Sequence, residues 1–168
     1  MASTLVVCNG ENKDRIQQAF SGSRVGLKLP PAFNLERAYD LLTRESPGDY
    51  EIELVTLTPE LNLTDDELKT GLKLIEDPYY SKFIKEPLYK NFRGLSLIGV
   101  IKSMDIPVIV TTKRSREFEG HGHVIQECME NSGLTYRVAH YDPEGSRTIE
   151  WAVDWALRDM GLKGEGAS

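Results

Sequence analysis

The chain has 168 residues, of which 40% are hydrophobic and 27% charged, a composition typical of one soluble globular domain. Its formal net charge of -6 excludes nucleic-acid binding through a basic surface, because phosphate backbones are bound by clustered lysine and arginine. The sequence has no apolar run of the roughly 18 residues that a membrane-spanning helix needs, and no secretory leader is visible. We therefore expect a cytoplasmic protein that binds neither nucleic acid nor a membrane.

Short apolar runs alternate with helical patterns in the first part of the chain. The predicted elements are a strand at 4–8, a helix at 12–20, a strand at 24–29, a helix at 35–44 and a strand at 51–57. Pro30 and Pro31 should end the second strand, because proline has no N–H to donate to a sheet. Asn34 is a suitable cap for the second helix, since its side chain can accept from a first-turn N–H.

A stretch at about 62–93 then separates the third strand from the helix that would normally follow soon after it. Thr64 and Glu67 form the Thr-x-x-Glu pattern of a capping box, which predicts a helix from 65 to about 76. The aromatic residues that follow are interleaved with lysine: Tyr79, Tyr80, Phe83, Tyr89 and Phe92. They predict either local core or, where exposed, a protein interface.

The strand–helix alternation resumes after this insertion. The remaining predicted elements are helices at 95–104, 122–131 and 148–160, and strands at 107–111 and 134–139. Five strands each followed by a helix predict a doubly wound, five-stranded parallel sheet of flavodoxin-like order 2-1-3-4-5, with a helical insertion after the third strand. We expect one domain over 1–160 and a flexible glycine-rich tail at 161–168. Ligands of such folds bind at the carboxyl ends of the strands.

Five segments together resemble the receiver domains of response regulators, the CheY-like domains of two-component signalling. They lie at 5–7, 35–42, 54–57, 94–98 and 106–112. This resemblance implies two acids after the first strand, a phosphoacceptor aspartate after the third, Ser or Thr after the fourth, and lysine after the fifth. The corresponding positions here are Cys8 and Asn9, Thr58, Thr112, and Ala139 or His140. Only the hydroxyl position, Thr112, keeps the residue type that the resemblance implies.

These substitutions remove the chemistry of aspartyl phosphorylation. Cys8 and Asn9 bring no anionic oxygen for a divalent cation, and Thr58 cannot form an acyl phosphate. The nearest acids after Thr58 are Glu60, Asp65 and Asp66, and the two aspartates are explained by the start of a helix. We therefore expect an atypical receiver, or pseudo-receiver, that is not an enzyme and needs no metal or cofactor.

Such a module would act by phosphorylation-independent contact with another protein or with a second copy of itself. Trp151 and Trp155 lie four residues apart and share one face of the last helix. The resemblance implies that this helix borders the face commonly used for partner or homodimer contacts. A pair of tryptophans buried in the core is the alternative interpretation.

The alternative function is a small flavodoxin-like enzyme or a ligand- or nucleotide-binding protein that uses the cleft at the strand ends. Its candidates include Asn9, Thr58 and Thr112. His121 and His123 could share a metal ion or simply be surface imidazoles. His140 and Asp142 could form an acid–base pair or simply a polar turn.

Overall fold

The computed structural model describes residues 3–43, 52–114 and 122–164. Five parallel strands form one sheet in the order β2-β1-β3-β4-β5, which confirms the predicted fold class. The strands are β1 (Ser3–Val7), β2 (Gly26–Ala32), β3 (Ile52–Leu57), β4 (Val108–Lys113) and β5 (Tyr136–Tyr141). Their carboxyl ends meet along one edge, which is where a doubly wound fold places its functional groups.

Helices cover both faces of the sheet because alternate side chains of each strand point to opposite faces. The helices are α1 (Lys13–Ala19), α2 (Leu35–Thr43), α3 (Asp65–Leu74), α4 (Pro78–Lys85), α5 (Ile98–Met104), α6 (Gly122–Ser132) and α7 (Ile149–Asp159). Leu5 and Val7 enter the core cluster shared with α2 and α5, whereas Val6 and Cys8 enter the one shared with α1 and α7. Burial on both faces explains why β1 reads as a continuous apolar run.

The prediction that Pro30 and Pro31 end the second strand is wrong, since β2 continues through both to Ala32. The pairing of β1 with β2 shifts between Leu5 and Val7, which pair with Lys28 and Ala32. Two extra residues of β2 are therefore accommodated in an irregularity of the ladder. β2 is also an edge strand, and an edge or a bulge is where a sheet tolerates the missing proline N–H.

The insertion at 62–93 is structured, as predicted, and contains α3, α4 and a 3₁₀ turn at Pro87–Tyr89. The predicted capping box is present: Thr64 Oγ1 accepts from the Glu67 N–H at 3.2 Å, and Glu67 Oε2 accepts from the Thr64 N–H at 3.0 Å. Asp77 caps α4 by accepting from the Tyr79 N–H at 2.9 Å. A second 3₁₀ turn, Arg93–Leu97, leads into α5.

The chain after α7 folds back onto the helices as far as it is described. The Leu162 carbonyl accepts from the Arg24 N–H at 2.9 Å, and Lys163 pairs with Asp154 and donates to the Ala19 carbonyl at 3.1 Å. Residues 165–168 of the predicted flexible tail lie outside the described residues. Among the helices described, none combines the length and the hydropathy required to cross a lipid bilayer.

Candidate functional site

Asn9, the residue after the buried Cys8, joins the end of β1 to the loop that follows β3. Its Nδ2 donates to the Glu60 carbonyl at 2.8 Å, and its Oδ1 accepts from the Asn62 N–H at 2.8 Å. Both polar atoms of the amide are therefore used to hold this loop. Burial raises the pKa of the Cys8 thiol to about 12, so the residue beside Asn9 is an uncharged thiol at neutral pH.

Thr58, at the predicted phosphoacceptor position, is buried and bonded to a neighbouring strand. Its hydroxyl lies 2.9 Å from that of Thr111, with one of the two donating to the other. Thr111 also lies 3.4 Å from the Leu57 carbonyl, to which its hydroxyl can donate. Ala139 is opposite Thr111 in the pairing of β4 with β5 and is fully buried. The structure thus pairs Thr58 with Thr111 rather than with Thr112.

Thr112 contacts Glu60, the first acid after Thr58 in the sequence. Its hydroxyl donates to Glu60 Oε1 at 2.6 Å, and the Lys113 N–H donates to the same oxygen at 3.1 Å. Glu60 as a residue is partly exposed, but Oε2 of its carboxyl group is buried and has no hydrogen-bond partner in the part of the chain described. Burial raises the pKa of Glu60, although the hydrogen bonds from Thr112 and Lys113 and the charge of Lys113 oppose the rise.

A cavity of about 240 Å³ opens beside Glu60 at the carboxyl ends of the strands. Its lining residues are mostly polar: Asn9, Glu11, Asn12, Thr58, Glu60, Leu61, Asn62, Lys90, Asn91, Lys113 and Tyr141. Burial raises the pKa of the Tyr141 phenol to about 12, with smaller contributions from the charges of Glu60 and Glu11. Lys90 and Asn91 come from the insertion, so this segment supplies one wall of the cavity.

The histidine candidates do not line this cavity where the structure describes them. His140 is exposed on β5 and lies in a separate open groove with Gln126 and Arg137. Partial desolvation of the imidazole and the charge of the nearby Arg114 lower the pKa of His140, although the residue as a whole is exposed. His123 is exposed near the start of α6, and His121 lies outside the described residues. The described ranges bring no three His, Cys, Asp or Glu side chains close enough to share a metal ion.

Asp142 lies in a turn. Its N–H donates to the Arg147 carbonyl at 2.7 Å, and its carbonyl accepts from the Gly145 N–H at 3.2 Å. Both Asp142 and His140 are described, and no hydrogen bond or ion pair joins them. The polar turn is therefore the alternative that the structure supports for this segment.

The aromatic candidates divide into core and surface residues. Tyr80, Phe83 and Phe92 are buried in the core, which agrees with the local-core alternative for these three residues. Tyr79 and Tyr89 are half-buried. The Lys82 ammonium lies 4.0 Å from the centre of the Tyr79 ring and 5.3 Å from that of Tyr89. For these two residues an interface remains a prediction.

Trp151 and Trp155 are exposed, with 45% and 41% of their surface accessible. The alternative interpretation, a tryptophan pair buried in the core, is wrong. The Arg147 guanidinium lies 5.2 Å from the centre of the Trp151 ring, within the range of a cation–π contact. The opposite face of α7 packs on the sheet through Ile149, Val153 and Ala156.

The fold resembles that of a response-regulator receiver. The chain is similar to the Mn(2+)-bound form of the response regulator Rcp1, with a TM-score of 0.51 and 15% sequence identity over 99% of this chain and 96% of that one. It also matches the Trp repressor binding protein from Bacillus subtilis, at a TM-score of 0.42 and 11% identity over 94% and 97% of the two chains. Neither a protein-family model nor a curated protein sequence matches this chain.

Proposed function

We propose that this chain is an atypical receiver-like signalling module that acts by protein–protein contact without phosphorylation. The observation that carries the proposal is the buried hydrogen bond between Thr58 and Thr111. Transfer of a phosphoryl group to a receiver requires a carboxylate nucleophile, accessible to the donor, at the end of the third strand. A threonine hydroxyl that is buried and bonded across the sheet supplies neither the charge nor the access.

The neighbouring groups support the same conclusion. Both polar atoms of Asn9 are engaged by the loop after β3, so this side chain serves as a brace rather than as a ligand. Glu60 is the nearest acid after Thr58 in the sequence, but its Oε1 accepts from Thr112 and Lys113 and its Oε2 is buried. Burial also raises its pKa, which disfavours the ionised form that a nucleophile needs. These contacts support a structural role for the polar groups at the strand ends.

The exposed tryptophans of α7 are the proposed contact surface. Trp151 and Trp155 share one face of the helix, and tryptophan is enriched among the residues that dominate binding energy at interfaces. The resemblance to receivers suggests the same face, since their last helix borders the surface used for partner contacts. The partner is another protein or a second copy of this chain.

The experiment compares the full chain with a Trp151→Ser/Trp155→Ser double variant as baits for extracts of the native source. Leu72→Ser is the matched control, because Leu72 is also exposed but lies on α3. Analytical ultracentrifugation of the same proteins tests self-association. We expect the full chain to retain a specific partner or to dimerise, and we expect Leu72→Ser to do the same. The double variant should lose this binding, and adding a phosphodonor with Mg²⁺ should not change it. Binding that requires the phosphodonor, or that the double variant keeps, would contradict the proposal.

A second candidate function is ligand binding in the cavity beside Glu60. The observation that favours it is the buried Oε2 of Glu60, which lacks a hydrogen-bond partner among the described residues. A thermal-shift screen tests this candidate, since a ligand selective for the native state raises the melting temperature. Stabilisation that Glu60→Ala abolishes would support it.

A further inference from the structure

The two tryptophans of α7 are the exposed large hydrophobic side chains that lie together on one helix face. In the described part of the chain, the large hydrophobic side chains that are exposed are Phe33, Leu72, Leu88, Trp151 and Trp155. The first three belong to separate segments: the loop after β2, helix α3 and the 3₁₀ turn Pro87–Tyr89. The α7 face is therefore the place where exposed apolar surface is concentrated on one element.

Oppositely charged groups lie at the two ends of this tryptophan pair. The Arg147 guanidinium lies 5.2 Å from the centre of the Trp151 ring, and no carboxylate of the described residues pairs with it. Asp159 follows Trp155 by four residues, which places it one turn further along the same row of the helix. The row thus begins with a cation and ends with a carboxylate.

Asp159 uses one of its two oxygens within the chain. Its Oδ2 pairs with Arg137 at 2.6 Å, Oδ1 has no partner among the described residues, and 48% of the side chain stays exposed. Asp154 of the same helix holds two cations, with Oδ2 paired to Arg158 at 2.8 Å and Oδ1 paired to Lys163. A carboxylate on α7 can therefore bind one cation through each oxygen, and Asp159 keeps an oxygen for a second one.

The spacing of these residues is symmetric along the helix. Trp151 and Trp155 lie two residues before and after the level of Val153, and Arg147 and Asp159 lie six residues before and after it. A two-fold axis at that level, perpendicular to α7, sets the helix of a second copy antiparallel to the first. Trp151 then faces Trp155 of the other copy. Arg147 likewise faces Asp159 of the other copy, which is the self-complementarity that an isologous interface requires.

We propose that the partner of the α7 face is a second copy of this chain, bound with the two α7 helices antiparallel. This inference rests on the proposed function, because it names the partner of the same tryptophan surface. A parallel arrangement would set Arg147 against Arg147 and Asp159 against Asp159, and like charges in contact are costly. A contact between two helix faces is smaller than the roughly 1,200–2,000 Å² of a stable interface, so the dimer is weak and depends on concentration.

The test is analytical ultracentrifugation of the full chain and of two charge reversals, Arg147→Glu and Asp159→Arg. The salt concentration is about 0.15 M, at which the net charge of -6 on each copy is screened beyond about 8 Å. In a dimer of either variant with itself, both end contacts join like charges, so each should dimerise at least about tenfold more weakly than the wild type. Lys69→Glu makes the same change of charge as Arg147→Glu on the exposed surface of α3, and it should dimerise like the wild type.

A one-to-one mixture of the two charge reversals tests the antiparallel arrangement. In the mixed dimer the introduced glutamate faces the introduced arginine, and the unchanged Arg147 of one copy faces the unchanged Asp159 of the other. The mixture should therefore regain the association that each variant lacks alone. Circular dichroism of each variant verifies that the loss of association is not a loss of folding.

Three outcomes would overturn the proposal: a wild type that stays monomeric at millimolar concentration, charge reversals that dimerise like the wild type, or a mixture that associates as weakly as its components. A monomeric chain that still captures a partner from extracts through Trp151 and Trp155 would remove this inference and leave the proposed function standing. Dimerisation that survives in the Trp151→Ser/Trp155→Ser variant would contradict both.

Discussion

The hydroxyl of Thr112 donates a 2.6 Å hydrogen bond to Oε1 of Glu60, and this contact joins the end of β4 to the loop after β3. A hydroxyl and an acid thus still meet at the strand ends. The acid lies three residues after the end of β3, its Oε2 is buried, and burial raises its pKa. The contact therefore links the end of β4 to the loop after β3 and does not expose a nucleophile.

Glu60→Gln should stabilise the protein at alkaline pH. Burial raises the pKa of Glu60 in the folded state above its unfolded value, so the folded protein binds more protons than the unfolded chain between the two. The stability that this group contributes is full below the unfolded pKa and is lost as pH rises through the folded pKa. The amide keeps an acceptor for Thr112 and does not ionise.

Thermal unfolding of wild type and Glu60→Gln from about pH 4 to pH 8 measures this effect. We expect the variant to be more stable than the wild type at the alkaline end, with a difference that shrinks toward the acid end. Glu53→Gln, an exposed position on β3, is the control and should show no such trend. A variant that loses stability more steeply than the wild type as pH rises would contradict the assignment.

Thr111→Val should cost about 1–2 kcal/mol, because it leaves the buried Thr58 hydroxyl without its Thr111 partner. Thr58→Val should cost less, because the Thr111 hydroxyl can still donate to the Leu57 carbonyl. The double valine variant should lose less than the sum of the two, since it removes both polar groups together. Urea unfolding of the four proteins measures the coupling free energy. Strictly additive losses would show that the two hydroxyls do not act as a pair.

Asn9→Asp should not repair the site. The carboxylate keeps an acceptor for the Asn62 N–H. It has no donor for the Glu60 carbonyl, so a negatively charged oxygen would face that carbonyl oxygen. We expect it to destabilise the protein by at least as much as Asn9→Ala, for which about 1–3 kcal/mol is expected. Denaturant unfolding at neutral pH gives both values. An aspartate variant as stable as the wild type would contradict the bracing role of Asn9.

Gly94→Ala should disturb the junction between the insertion and the sheet. A Cβ at this position would lie 2.5 Å from the Thr58 carbonyl oxygen and 3.0 Å from Pro59 Cα, both backbone atoms. The Gly94 N–H also donates to the Pro59 carbonyl at 2.8 Å, so the two segments cannot separate freely. We expect a loss of about 2 kcal/mol or more.

Gly164→Ala is the control for this substitution, because a Cβ there meets no atom within 4 Å. It should leave the unfolding free energy within about 0.5 kcal/mol of the wild type. If both alanine variants unfold alike, the close approach of Gly94 to Thr58 and Pro59 is not a constraint on the fold.

The fold could be predicted from the sequence because its signals are local. Each element is marked within a few residues by a hydrophobic run, as in β1, or by a helix cap, as at Asn34 and Thr64, and the elements alternate between strand and helix. The cap at Asn34 is present, since Asn34 Oδ1 accepts from the Arg37 N–H at 2.8 Å. The continuation of β2 through Pro30 and Pro31 could not be predicted, because it depends on the irregular pairing of that strand with β1.

The strand-end site was predicted only in part. Cys8, Asn9, Thr58 and Thr112 lie at the expected edge, because the ends of parallel strands converge there. Which hydroxyl bonds to which neighbour depends on the side to which each side chain of β3 and β4 points. The role of Glu60 depends on its contacts with Thr112 and Lys113 across the sheet edge, and no spacing in the sequence carries that information.

The central claim, that this chain does not use aspartyl-type phosphoryl transfer, is tested most directly by intact-protein mass spectrometry. The full chain is incubated with Mg²⁺ and acetyl phosphate, and a receiver domain known to be phosphorylated serves as the positive control. The account predicts an unchanged mass for this chain while the control gains one phosphoryl group. A stoichiometric, hydroxylamine-labile phosphoryl adduct on this chain, lost in Glu60→Gln or in any other single acid variant, would contradict it.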